Sequence, residues 1–167
     1  MWRCYAIRSM TSRATYIGAT PRSRQRLLKH NSGRGARRTK GNRWCPILVV
    51  SGFLSKNECL SFESGWKRVC HHRKSLKYIN WLFGTSLAYG TDQGWNRVLD
   101  LLEWLYRVRL ETCKGIRRYR VNGTEPLHRL KIRVFLETNI LRLPWPRTII
   151  RCVKAGVPPA PRPRQSR

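Results

Sequence analysis

The chain has 167 residues, enough for one ordinary domain with or without a tail. Apolar types make up 41%, and 35 Lys and Arg stand against 8 Asp and Glu, a formal net charge of +27. A charge of that size exceeds what solubility needs and opposes compaction unless an anionic partner screens it. It argues against a free-standing metabolic enzyme for small neutral substrates and for a polyanion partner, DNA or RNA.

No uncharged apolar run approaches the roughly 18 residues of a membrane span, so no membrane partner is expected. The opening Met-Trp-Arg-Cys-Tyr-Ala-Ile-Arg is interrupted by arginine and lacks a signal-peptide apolar stretch. Cys4, Cys45, Cys59, Cys70, Cys113 and Cys152 are scattered without CxxC spacing, which supports neither a disulfide framework nor a zinc ribbon. Cys70-His71-His72 is the one dense cluster of ligand types, but adjacent residues point in different directions. Of the carboxylates, only Glu58 and Glu63 precede Asp92. The chain therefore reads as a basic front part, a more balanced back part and a Pro/Arg tail, 155–167, expected to be disordered.

In chain order, Trp2 to Ile7 and Ala14 to Ala19 read as two strands joined by a polar link short enough for an antiparallel hairpin. Thr20-Pro21 reads as an N-cap followed by proline at the first helical position. A basic helix then runs to about His30, with Leu27 and Leu28 turned toward the core. Residues 32–43 form a Gly-rich cationic loop, and Pro46 to Phe53 is a third strand, apolar enough to be buried on both faces. Ser55 and Glu58 have the spacing of a capping box that opens a helix to about His71. Asp92 to Glu111 carries an apolar stripe at helical period through Trp95, Val98, Leu99, Leu102, Leu105 and Tyr106. Residues 127–143 mix strand-like and helix-like signals.

The helix from Lys56 to His71 contains an anomaly. Glu63 falls within its apolar stripe of Cys59, Phe62, Trp66, Val69 and Cys70, where an ionised carboxylate is costly unless paired or bound to a cation. One reading pairs it with an arginine of the neighbouring helix; the other makes it a metal ligand. The first helix spaces Arg22, Arg26 and His30 four apart on one face. Such a face suits holding a phosphate and moving a proton, or simply solvation. Tyr5 and Tyr16 fall on the two opening strands, where a tyrosine is ordinarily core with a satisfied hydroxyl. Together, two strand tyrosines, an Arg/His helix and one isolated carboxylate suit phosphodiester hydrolysis with a single metal ion.

Tyr5-Ala6-Ile7 followed by Tyr16-Ile17-Gly18 resembles the paired signature of the GIY-YIG nuclease superfamily, with Cys4 where the first glycine or its substitute stands. Ala19-Thr20, Arg26-Leu27 and His30-Asn31 match that family's helix motif. Gly35-Ala36, Thr39, Trp44, Gly52-Phe53, Phe62-Glu63 and Trp66 resemble one branch, the nuclease subunit of the eukaryotic endonuclease that cuts flaps and Holliday junctions. The resemblance covers roughly residues 3–72. It implies an α+β fold with a nuclease core over residues 1–72, a small three-stranded antiparallel sheet flanked by helices, to which the sequence adds a mainly helical part, 73–154, and the tail, 155–167. It also implies roles. Glu63 would hold Mg²⁺ or Mn²⁺, Tyr5 would help deprotonate the attacking water, and Arg26 would stabilise charge on the scissile phosphate. Tyr16 and His30 would orient groups around the centre. A tyrosine of ordinary pKa is a poor base, so the metal and nearby cations would have to lower it.

Two departures accompany the resemblance. The zinc-binding domain through which that branch recruits its scaffold partner has no counterpart, because only Cys113, His128 and Cys152 follow residue 72 as soft ligands. Some family members carry an asparagine after the glutamate, for which Asn80 is a candidate. Arg34, Arg37, Arg38, Lys40 and Arg43 of the cationic loop are expected to grip backbone phosphates without reading sequence. Trp44 is either a platform for an unpaired base or the first core residue of the third strand. Arg117, Arg118, Arg120 and the tail arginines add non-specific attraction. The expected activity is metal-dependent cleavage of branched or flapped DNA, with nuclear residence following from that substrate. The short, highly charged chain suits a stripped-down viral or mobile-element version. The alternatives are a sequence-specific restriction- or homing-type relative and a catalytically inactive, arginine-rich nucleic-acid-binding protein.

Overall fold

In a computed structural model, residues 1–72, 76–113, 130–136, 143–144 and 153–155 are described. The elements are β1 (Arg3–Ser9), β2 (Thr15–Thr20), α1 (Ser23–Asn31), a 3₁₀ turn (Arg37–Thr39), β3 (Trp44–Ser51), α2 (Lys56–His71), α3 (Lys77–Phe83), α4 (Gln93–Cys113), β4 (Lys131–Val134) and β5 (Val153–Ala155). The α+β class with a small antiparallel sheet is as expected, but the sheet is two strands wider than three. Its order is β2-β1-β3-β4-β5, antiparallel except for the β4/β5 pair. The ambiguous stretch at 127–143 supplies β4, which pairs Leu48 with Val134 and Val50 with Ile132. Expectations for Arg117, Arg118, Arg120, His128 and residues 156–167 concern positions outside the described residues.

Strand alternation sends side chains to two different environments. Cys4 and Ala6 of β1, Ile17 of β2, Leu48 and Val50 of β3, and Ile132 and Val134 of β4 pack with α2 and α4 in the main core. Tyr5, Ile7, Tyr16, Val49 and Trp44 form a second cluster with Leu27 of α1. A bulge between Ala6 and Ile7 shifts the β1/β3 register, so Ile47 is skipped in the pairing and joins the main core. One core holds residues from both sides of position 72, since Phe62 and Trp66 of α2 pack in it with Leu99, Leu102 and Leu105 of α4.

Local sequence accounts for most element ends. Ser55 Oγ accepts from the Glu58 amide at 3.1 Å, while the Glu58 carboxylate reaches one residue further back than a capping box requires, accepting from the Leu54 amide at 2.6 Å. Helix α1 begins two residues later than the Thr20-Pro21 signal implies: Arg22 is its N-cap, and the Arg22 amide donates to Thr20 Oγ1. Leu28 does not turn inward; it is 48% exposed, and His30 is the residue of α1 that is buried. The inward face of α1 thus carries buried His30 beside the half-buried Arg26 and Leu27. On α4, Asp100 and Glu103 are buried and paired within the helix with Arg97 and Arg107. Those acids are neutralised locally and leave the basic surface uncompensated. Among the described residues, no helix is long and apolar enough to cross a membrane.

Candidate active site

The second cluster brings Tyr5, Tyr16 and His30 together. Ring centroids lie 6.3 Å apart for the two tyrosines, 5.9 Å for Tyr5 and His30, and 5.2 Å for Tyr16 and His30. The Tyr5 hydroxyl and His30 Nε2 are hydrogen-bonded at 2.8 Å, and His30 Nδ1 is bonded to Thr39 Oγ1 at 2.7 Å. Tyr5 is held over β2 because residue 18 is glycine. A Cβ there would lie 2.7 Å from the Tyr5 hydroxyl and 2.9 Å from the Tyr16 ring. The second triplet's glycine therefore makes room for the first triplet's tyrosine.

Burial sets the titration of this cluster. It pushes the Tyr5 phenol up to about 12, with Arg26 beside the hydroxyl pulling the other way. This is opposite to the lowering that a tyrosine acting alone as base requires. Burial, then the Arg26 charge, holds His30 down at about 4, so its imidazole is neutral at ordinary pH. Arg26 is influenced by both tyrosines, which places its guanidinium at the same centre.

Glu63 reaches this centre from α2, and its charge contributes to the rise at Tyr5. Its partner is not an arginine of a neighbouring helix but Lys67 one turn along α2, whose Nζ binds Glu63 Oε1 and lies 5.9 Å from the Tyr16 ring centroid. The Glu63 side chain is 13% exposed against 40% for Lys67, so the carboxylate is mostly covered while its lysine partner is open to solvent. Among the described residues there is no group of three or more His, Cys, Asp or Glu able to hold a metal ion, the Cys70-His71-His72 run included. A single carboxylate fits a hard cation that keeps most of its waters, as Mg²⁺ and Mn²⁺ do.

The cationic loop leaves the site with its charges outward. Arg34, Arg37, Arg38, Lys40 and Arg43 are all exposed. Trp44 is not a platform for bases. It is 3% exposed, and its indole Nε1 donates to the Thr39 carbonyl at 2.8 Å. Asn31 fixes the other end of the loop through both the amide and the carbonyl of Trp44. Asn80 has its side chain committed elsewhere: it accepts from Thr85 Oγ1 and the Leu87 amide and donates to the Leu87 carbonyl, shaping the turn after α3. Sequence reasoning missed the structural parts played by Thr39 and Lys67. The Glu-to-Lys spacing of four on one helix was the available signal for the second.

Residues 1–77 match the family model of the GIY-YIG catalytic domain. This chain belongs to the GIY-YIG family. It is 40% identical over 156 residues to the uncharacterized protein L300 of Acanthamoeba polyphaga mimivirus, covering 87% of this chain and 92% of that one. It is 41% identical over 76 residues to the structure-specific endonuclease subunit slx1 of Aspergillus fumigatus, covering 42% of this chain and 18% of that protein. With the subunit of the same name from Vanderwaltozyma polyspora it shares 45% over 71 residues, 38% of this chain and 22% of the other. The chain thus spans about a fifth of the fungal proteins it matches, and its residues 1–77 are a nuclease-type catalytic domain.

Proposed function

We propose that the chain is a metal-dependent endonuclease that hydrolyses phosphodiester bonds in branched or flapped DNA. The observation that carries the reading is the Tyr5–His30 hydrogen bond inside a buried cluster whose Tyr5 hydroxyl Arg26 and Glu63 also influence. Tyr5, neutral at physiological pH, accepts a proton from the attacking water as its own passes to His30 Nε2. The resulting hydroxide attacks phosphorus, the bond to the leaving sugar oxygen breaks, and that oxygen takes a proton from solvent. Arg26 neutralises charge gathering on the phosphate oxygens, and Tyr16 walls the site beside it. Glu63 would hold Mg²⁺ or Mn²⁺ once Lys67 gives way; a divalent ion bound there supplies charge neutralisation at the scissile phosphate.

Preference for branched DNA is supported by the likeness to the fungal subunits and by the exposed Arg34, Arg37, Arg38, Lys40 and Arg43, which offer contacts to backbone phosphates. A eukaryotic cell holds that substrate mainly in its nucleus. The test is cleavage of labelled flap, four-way junction and plain duplex DNA with Mg²⁺ or Mn²⁺ at moderate salt. Selective cutting near the branch, abolished by chelator, is the expected result. Cutting of duplex at fixed sequences would favour a restriction-like activity, and binding without cutting under both metals would favour a binding protein.

A further inference from the structure

We propose that Thr39 is a positioning residue that fixes neutral His30 as its Nδ1–H tautomer, leaving the Nε2 lone pair to face the Tyr5 hydroxyl. The hydrogens available along one chain of polar atoms allow only this arrangement. Thr39 Oγ1 lies 2.7 Å from both His30 Nδ1 and the Ala36 carbonyl oxygen. The hydroxyl has a single hydrogen, and the carbonyl oxygen has none to offer. If that hydrogen pointed to Nδ1, two oxygens would face each other at 2.7 Å with nothing between them. Donation to Ala36 removes the conflict, so the hydroxyl accepts from Nδ1 and the ring proton sits there. In a neutral imidazole Nε2 is then a bare acceptor, and the 2.8 Å bond with Tyr5 is one in which tyrosine donates.

Direction matters to the reaction. With the other tautomer Nε2–H would donate to Tyr5, and the phenol proton would have no base to go to. The assembly is built tightly enough to hold one answer: His30 and Thr39 are each 1% exposed. Residue 35 is glycine where any Cβ would overlap His30 Nδ1. The Thr39 backbone is tied independently, its amide to Ala36 and its carbonyl to the Trp44 indole, so the turn keeps its shape without the hydroxyl.

The inference deepens the proposed nuclease reading but is tested apart from it. In protein labelled with ¹⁵N-histidine, the two ring-nitrogen shifts of His30 report which nitrogen carries the proton, with no substrate or metal present. The expected result is a protonated Nδ1 and bare Nε2 in the wild type and in Thr39→Ser. Thr39→Val, which keeps the shape and loses the hydroxyl, is expected to show Nε2–H or a mixture. In cleavage assays Thr39→Val should lose roughly 10²-fold in rate at unchanged DNA affinity, with Thr39→Ser close to wild type. A wild type with the proton on Nε2, or a folded Thr39→Val with the tautomer unchanged, would overturn the inference. The wild-type measurement needs no variant to fold. An inactive protein with the expected tautomer would count against the nuclease reading and leave this one standing.

Discussion

Tyr5 and His30 share one hydrogen bond and have pKa values pushed apart by the same burial, up to about 12 and down to about 4. Across the neutral range neither group changes charge, so the cleavage rate should show an acid limb near pH 4 rather than near 6.5, measurable with a metal whose binding is saturated. The same shift has a stability consequence. The unfolded chain protonates this histidine near its ordinary 6.5, the folded one near 4. Stability is therefore fully present above 6.5 and lost as pH falls toward 4, which urea titrations at several pH values would register. Tyr5→Phe, which keeps the ring and removes the relay, should cost about 10²–10⁴-fold in rate with little loss of DNA affinity. The residue types were legible in the sequence because Tyr5, Tyr16, Arg26, His30 and Glu63 sit in ordered motifs. Thr39 was legible only as a motif letter, since its work depends on the 3₁₀ turn bringing it back onto α1. Trp44 was readable as core or as platform, and its burial together with its bond to the Thr39 carbonyl decides for core.

At the scale of elements, strand-forming residues around a short polar link made β1 and β2 visible, a continuous apolar run made β3 visible, and capping and period made α2 and α4 visible. Strand β4 was not, because four residues with two buried positions carry too little pattern to separate strand from helix. What positions Glu63 is the seat of α2 on α4. Gly65 lies at their crossing, where a Cβ would run into the Trp104 ring. Alanine at position 65 would gain roughly 1 kcal/mol in helix propensity and lose about 1–3 kcal/mol to overpacking. Gly65→Ala should therefore lower the urea midpoint, whereas the same change at an exposed helical glycine would raise it. Trp66, fully buried between the same elements, should cost about 3–5 kcal/mol on truncation to alanine. Helix α1 shows why amphipathic reasoning misplaced Leu28: the face turned to the sheet carries His30 beside Leu27, and Leu28 falls on the exposed side.

The whole molecule presents a net charge of +27 while Asp100 and Glu103 of α4 are spent internally on Arg97 and Arg107. Its affinity for DNA should fall steeply and linearly in log–log form with salt. Arg37→Gln with Arg38→Gln should reduce that slope by up to about 2, roughly 0.9 for each phosphate left unneutralised, without moving the unfolding midpoint, because both side chains are exposed. In the proposed reading, charge gathers the nucleic acid, and the buried Tyr5–His30 pair and Glu63 decide whether anything is cut. Those two functions separate in a single comparison, wild type beside Glu63→Gln on a labelled flap, with binding and cleavage measured in the same buffer with Mg²⁺. The expected result is equal or slightly tighter binding by the variant and cleavage lost by several orders of magnitude. Cleavage by Glu63→Gln at the wild-type rate would contradict a metal-holding role, leaving Glu63 and Lys67 as an ordinary ion pair on α2.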